Sequence, residues 1–360
     1  MAACCDSVFR AFEYSGKVPT AQQFRDAFNL EIGKAYRVKR KHGDSFFDAF
    51  DAFVTEMGDH NSWSKATFTK FGAIRMHLFA FDPSLSLASF SDQTFTGFVQ
   101  YMHRVPLRNT TISKNVAFVR WFLRWASNND LYSGKAHQSF RVKLKGVDGN
   151  TKEIIHLSWH ELMALMDWQA PADKAYLDRV RDVFCFCCFT GLRYSDVAKL
   201  TRSDIRDSYF TIVTQKTSDF VKIELNNYSR SILEKYADFP FENNKALPVI
   251  SNAKMNEYLK ELGRLAGLDE PQRVVYFMGN RRHEEVFPKY ALLTTHAGRR
   301  TFVVNALYLG IPAEVIMRWT GHSDFKSMKP YTKIVDTLKE QEMEKFNRVP
   351  SLVRDSENGD

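Results

Sequence analysis

Residues 293–334 read LTTHAGRRTFVVNALYLGIPAEVIMRWTGHSDFKSMKPYTKI, and their punctuation is that of consecutive short helices. Thr294 or Thr295 can cap a helix whose first turn holds His296 and Arg299. Three residues apart, these side chains project from one face. That helix runs through Phe302, Val303, Ala306 and Leu307 and stops at Gly310, which suits a left-handed C-terminal position. Pro312 opens another helix at its favoured first-turn site, and Gly321 closes it. His322 follows on a loop held by two helix ends, with Ser323 or Asp324 available to cap what comes next. Pro330 then interrupts the helical pattern directly before Tyr331 and fixes the chain's angle there. Two histidines, an arginine and a tyrosine thus gather at helix ends rather than along a buried stripe.

Upstream, Thr190-Gly-Leu-Arg-Tyr-Ser-Asp196 follows the most apolar run of the chain, Val183 to Leu192. Gly191 ends that helix, and Ser195 or Asp196 begins the next, Val197 to Leu200. Arg193 falls in the turn between them, with a carboxylate three residues on that can orient the guanidinium without consuming its whole donor fork. Cys185, Cys187 and Cys188 lie inside the apolar run. Cys185 and Cys188 have the spacing of a metal knuckle, but no second Cys or His pair stands at a finger-like distance, so buried free thiols are the better reading.

The surrounding 360 residues suit two domains, with 44% apolar residues and 30 Phe to build cores. Five cysteines make no disulfide framework. The longest apolar run is far short of the ~20 residues that span a bilayer, and the N-terminus has no signal-like core. A soluble, cytoplasmic protein with no membrane partner is therefore expected. A net charge of +8 favours an anionic partner, mildly.

From Ser45 to Tyr132 the sequence reads as helices. Phe68, Phe71, Ile74 and Leu78 recur at helical spacing after Ser64, and Val116, Val119, Leu123 and Ala126 form another stripe beside Arg120 and Arg124. Residues 134–151 are polar, basic and Gly-containing, which suits either a linker touching a polyanion or a solvated connector. Helices resume near Ser158. Tyr209–Gln215 and Phe220–Leu225, separated by Lys216-Thr-Ser-Asp219, read as a β-hairpin. Helices continue through Met255 to Ala266 and again after Thr294. The fold class is mainly α with a small β-hairpin or sheet.

Thr190-Gly-Leu-Arg-Tyr-Ser-Asp196, Lys216-Thr217, His296-Ala-Gly-Arg299, Gly321-His322 and Tyr331 stand in the order and spacing of the tyrosine recombinase (phage integrase) family, which the chain resembles from residue 45 to about 340. Thr295–Phe302 and Ile316–His322 look most like integrases of Bacteroides-type mobile elements. The resemblance implies a helical core-binding, SAM-like DNA-binding domain over residues 44–133. It further implies a basic linker over 134–152, a mixed α/β catalytic domain over 153–340, and a tail, 341–360, that docks on a neighbouring protomer or packs within its own. Residues 1–43 show no alternating strands, so the arm-binding module that many integrases carry there is expected to be absent, truncated or replaced.

The implied chemistry answers the demands of a phosphodiester. In-line attack builds negative charge on the non-bridging oxygens, and the always-protonated fork of arginine suits that charge. By resemblance Arg193 and Arg299 clamp the phosphate and Tyr331 is the nucleophile, leaving a 3′-phosphotyrosyl bond and a free 5′-hydroxyl. His296 is the base that helps remove the phenol proton, Lys216 the acid that protonates the leaving oxygen, His322 a donor to the phosphate and Asp196 an orienter of the site. Lys222 competes with Lys216 for the acid's role, and Arg300 stands beside Arg299, although His at i and Arg at i+3 favours Arg299. With these donors no metal or other cofactor is expected.

The partner implied is double-stranded DNA, bound through Lys114, Arg120, Arg124, Lys143 and Lys145 unless these form only a solvated basic face. A protein that is monomeric in solution would form a homo-tetramer on synapsed sites in the bacterial nucleoid, with DNA-bending accessory proteins as further partners. The function implied is site-specific recombination or integration for a mobile element. The alternatives are a type IB topoisomerase-like relaxer, a chromosome-dimer resolver and a catalytically silent DNA-binding regulator.

Overall fold

The structure is a computed structural model, and it describes residues 2–14, 18–31, 45–147, 154–214, 220–322, 324, 325, 328–331 and 343. The chain divides into two compact units, Met1–Asp148 with Tyr276–His283 and Gly149–Val275 with Glu284–Asp360.

The first unit is helical: α1 Ala2–Tyr14, α2 Ala21–Glu31, α3 Phe46–His60, α4 Lys65–Phe81, α5 Asp92–Arg104, α6 Asn109–Asn128 and α7 Ala136–Ser139. Ser45 caps α3 by accepting from the Asp48 N–H, and Ser91 forms a capping box with Thr94 on α5. Ser64 precedes α4 without a side-chain cap, and Phe68 stays 38% exposed while Phe71, Ile74 and Leu78 are buried. The core is aromatic: Phe53 meets Phe71, Trp121 and Phe122 at ring separations of 5.7, 5.4 and 5.5 Å. Each fully buried Phe contributes roughly 1.5–3 kcal/mol of transfer free energy.

Residues 134–147 depart from the connector expected of them. Phe140, Val142 and Leu144 pack against this core while Arg141, Lys143 and Lys145 are exposed. The alternation of apolar and basic residues is thus a packed extended edge.

The second unit contains α8 Trp159–Asp167, α9 Tyr176–Thr190, α10 Tyr194–Val197, β1 Tyr209–Val213, β2 Phe220–Glu224, α11 Asn227–Lys235, α12 Asn252–Leu265, α13 Lys289–Leu292, α14 Thr295–Tyr308 and α15 Ala313–Thr320. Strands β1 and β2 pair antiparallel, Tyr209 opposite Glu224 and Val213 opposite Phe220. A second hairpin, β3 Pro271–Met278 with β4 Arg281–Pro288, lies where no strand was expected. β4 is largely exposed and rich in Arg and Glu, while the half-buried β3 ends in an unbroken apolar run, Val274–Met278, so neither shows the apolar alternation that betrays β1 and β2.

Helix α9 runs through the middle of this core, with every residue from Val180 to Thr190 buried. Burial raises the thiols of Cys185, Cys187 and Cys188, Cys187 to about 12, which suits inert packing groups rather than metal ligands. Helix α14 lies close against α9 because Gly298 faces it: a Cβ there would stand 2.9 Å from Cys187 Cβ. Among the described residues no helix is long and apolar enough to cross a membrane.

Candidate active site

The end of α9 and the start of α14 are held side by side. Gly191 takes φ 71°, a left-handed value that L side chains adopt at a cost, and so turns the chain at the helix end. The turn leads to Arg193, which is the residue preceding α10; the short helix therefore starts at Tyr194, earlier than the expected Ser195 or Asp196. Across from it, Thr294 does not cap α14 with its side chain. Instead the Thr295 N–H donates to Asn256 Oδ1 at 2.8 Å and its hydroxyl meets Asn252 Oδ1 at 3.1 Å, so α12 supplies the cap.

Arg299 is 3% exposed, and three of its N–H donors are used. Nη1 donates to the Gly191 carbonyl at 2.9 Å, while Nη2 donates to the Thr320 carbonyl and lies 2.8 Å from His322 Nε2. Burial pushes the guanidinium down to about 9, helped by the like charge of Arg193; the neighbouring Tyr331 and Asp196 act the other way. Arg193 Nη1 stands 3.9 Å from Asp196 Oδ2, and among the described residues it has no hydrogen-bond partner although it is buried. A buried cationic donor with unused capacity is a ready seat for an anion.

Helix α15 follows Pro312, which sits just before the helix rather than inside it, and ends at Gly321 with φ 58°. His322 folds back there: its N–H bonds the Met317 carbonyl at 3.0 Å, and Nδ1 lies 2.9 Å from the Thr320 hydroxyl. Pro330 lies within a 3₁₀ turn, Lys329–Tyr331, instead of breaking a helix. Tyr331 is 8% exposed among Val303, Val304, Ile316, Met317 and Met328. Burial raises its phenol, opposed by the charges of Arg300 and then Arg299.

The structure thus brings Arg299, His322, Arg193, Asp196 and Tyr331 into one neighbourhood of the second unit. His296 is on the exposed side of the first turn of α14. Lys216 lies outside the described residues, as do Ser323 and the tail except Met343. Lys222 points its Nζ over the Tyr209 ring at 4.2 Å and lies 3.8 Å from Glu224 Oε1. One participant, Thr320, was missed in the sequence, and another, Arg300, was weighed there only as an alternative to Arg299. The charge of Arg300, with that of Arg299, opposes the rise of the Tyr331 phenol, and Thr320 contacts both Arg299 and His322. Arg300 is legible only as a neighbour of Arg299, and Thr320 gives no signal because its partners come from elsewhere in the chain.

In the first unit Lys114 and Arg124 are exposed on α6, and Lys143 and Lys145 beyond α7. Arg120 is partly buried, with Nε donating to the His137 carbonyl at 3.0 Å, so it braces α7 as well as carrying charge.

The sequence model of the phage integrase family matches residues 156–337, and that of the phage integrase SAM-like domain matches residues 45–142. No curated protein matches the chain. The structure is similar to the Tn1549 transposon integrase (residues 82–397) in complex with circular intermediate DNA, with a TM-score of 0.59 at 16% identity, covering 80% of this chain and 95% of that one. It is also similar to a lambda integrase tetramer bound to a Holliday junction, with a TM-score of 0.56 at 14% identity over 85% of this chain and 88% of that one. At such identities the likeness speaks for the fold.

Proposed function

Because the chain belongs to the phage integrase family, we propose that it is a site-specific DNA recombinase that cuts and rejoins strands through a phosphotyrosyl bond at Tyr331. The observation that carries this reading is the cluster in which Arg299 bonds His322 and shares its electrostatic surroundings with Arg193 and Tyr331. Cations and donors beside a nucleophile are what an in-line attack on a phosphodiester requires.

In the proposed reaction the Tyr331 oxygen attacks the scissile phosphorus and the bond to the 5′-oxygen breaks. His296 takes the phenol proton, and Lys216 gives one to the leaving 5′-oxygen. Arg193 and Arg299 neutralise the charge that builds on the non-bridging oxygens. Asp196 orients Arg193. The covalent bond retains the energy of the broken one, so religation to another 5′-hydroxyl runs without ATP.

Lys114, Arg124, Lys143 and Lys145 contact phosphates of double-stranded DNA, and Arg120 does so only with its unbraced side. Four protomers act on two sites, as the lambda integrase tetramer on its Holliday junction illustrates for that protein. Accessory DNA-bending proteins and a place on the bacterial nucleoid follow from the same reading, as does the division at residues 44–133, 134–152, 153–340 and 341–360.

The test is a plasmid carrying two copies of a site selected by the protein from random duplexes, incubated without ATP or divalent metal. A recombinase yields resolved circles that depend on both copies. Relaxation of plasmids without pairing of sites would make the protein a relaxer, and binding with no strand exchange or relaxation a regulator.

A further inference from the structure

Thr320 is 1% exposed, the last residue of α15, and belongs to none of the roles assigned above. Its hydroxyl lies 2.6 Å from the Ile316 carbonyl, 3.4 Å from the Met317 carbonyl and 2.9 Å from His322 Nδ1. A carbonyl only accepts, so the single hydroxyl proton goes to Ile316 and the oxygen can only accept from the imidazole. Nδ1 therefore carries a proton. On the far side of the ring, Nε2 faces Arg299 Nη2, which only donates, so Nε2 carries a lone pair. One tautomer of neutral histidine satisfies both of these contacts, with Arg299 and the hydroxyl favouring the same one from opposite sides of the ring. The Thr320 carbonyl meanwhile accepts from Arg299 Nη2, so a single residue holds both partners.

We propose that Thr320 is a positioning residue for phosphoryl transfer, fixing the proton of His322 on Nδ1 and the direction of the Arg299 fork. In the DNA-free protein, His322 Nε2 is then an acceptor capped by Arg299, and it becomes a donor to phosphate only by taking a proton from solvent, once the Arg299 N–H that capped it turns to the anion. The inference rests on the recombinase reading for its effect on cleavage, but its statement about the tautomer stands on the DNA-free protein alone.

The experiment compares wild type with Thr320→Val and Thr320→Ser in the full chain. Valine keeps the shape and loses the hydroxyl, whereas serine keeps the hydroxyl and loses a methyl. In ¹⁵N-histidine spectra of the DNA-free protein, wild type and Thr320→Ser should show His322 with Nδ1 protonated and Nε2 bare; Thr320→Val, in which Arg299 alone holds that tautomer, should shift the Nδ1 resonance as its N–H loses its acceptor. On a nicked duplex that traps the covalent adduct, Thr320→Val should slow adduct formation by about tenfold or more, the scale of loss seen when a metal-bound imidazole is deprived of the partner that orients it. Thr320→Ser should stay within about threefold of wild type.

A role in packing alone predicts the opposite order, with valine the better substitute, and that result would overturn the proposal. So would a His322 spectrum with Nε2 protonated in the DNA-free wild type. A wild type that binds DNA and forms no adduct would defeat the recombinase reading, while the spectra would still decide the tautomer.

Discussion

Arg193 Nη1 and Asp196 Oδ2 face each other at 3.9 Å, near enough to feel each other's charge and too far apart for a hydrogen bond. The carboxylate is fully buried, so its pull on the guanidinium is screened less than that of a surface pair. Arg193 is thus aimed while its Nη1 keeps its capacity to donate.

Replacing Arg193 by Ala should therefore remove chemistry and spare DNA binding, at some cost in stability because the buried Asp196 carboxylate loses that counter-charge. We expect adduct formation to fall by about a hundredfold or more, the usual cost of losing one donor to a charge that develops in the transition state. DNA affinity should change by no more than about threefold. Single-turnover cleavage and equilibrium binding check the two halves separately, and equal losses in both would assign Arg193 to binding.

Arg299 should behave differently, since it ties the Gly191 and Thr320 carbonyls together. Arg299→Ala is expected to abolish cleavage and also to lower stability by about 1–3 kcal/mol, as buried carbonyls lose their donor. Gly191→Ala attacks the same tie from the other side. Its φ of 71° is strained for alanine, and the new Cβ would lie 2.6 Å from Phe302 Cδ1 and 3.0 Å from Thr320 Cγ2. A loss of about 1–3 kcal/mol in denaturant unfolding is expected, together with slower cleavage.

Much of this site is legible in order and spacing. Gly310 and Gly321, both with positive φ, mark the ends of the two helices that carry Arg299 and precede His322. The apolar run from Val183 to Leu192 announces the buried helix α9, and the β-branched and aromatic runs on either side of Lys216 announce β1 and β2. What escaped did so for physical reasons. Strand β4 is mostly exposed and β3 is half-buried along most of its length, so nothing in their pattern separates a core face from a solvent face. Phe140, Val142 and Leu144 alternate with basic residues that mask them in any average of composition. Thr320 acts through a hydroxyl whose meaning depends on Arg299, which reaches it from another helix.

Burial of Tyr331 carries a dependence on pH. Its phenol is raised above the ordinary value of 10.0, so the unfolded chain loses that proton first. Between the two values the native state binds more protons, and the stability linked to Tyr331 is fully present below pH 10 and lost as pH rises through the native value. Thermal unfolding of wild type and Tyr331→Phe should differ by a constant amount below about pH 9 and shift in favour of Tyr331→Phe above about pH 10. A difference independent of pH would mean that the phenol is not sequestered.

The basic residues of the first unit should separate by their surroundings. Lys114→Ala should weaken binding to all sequences alike and reduce the salt slope by about one. Arg120→Ala should in addition lower the unfolding midpoint, because the His137 carbonyl loses its donor. Binding titrations across a salt series, with thermal scans, distinguish the two.

The most direct measurement is the covalent adduct on a nicked duplex that carries the selected site, formed in the presence of a chelator and mapped by peptide mass. Wild type should carry DNA on Tyr331, and Tyr331→Phe should bind the duplex and carry none. DNA attached to any other residue, or an adduct that persists in Tyr331→Phe, would contradict the assignment of Tyr331 as the attacking group.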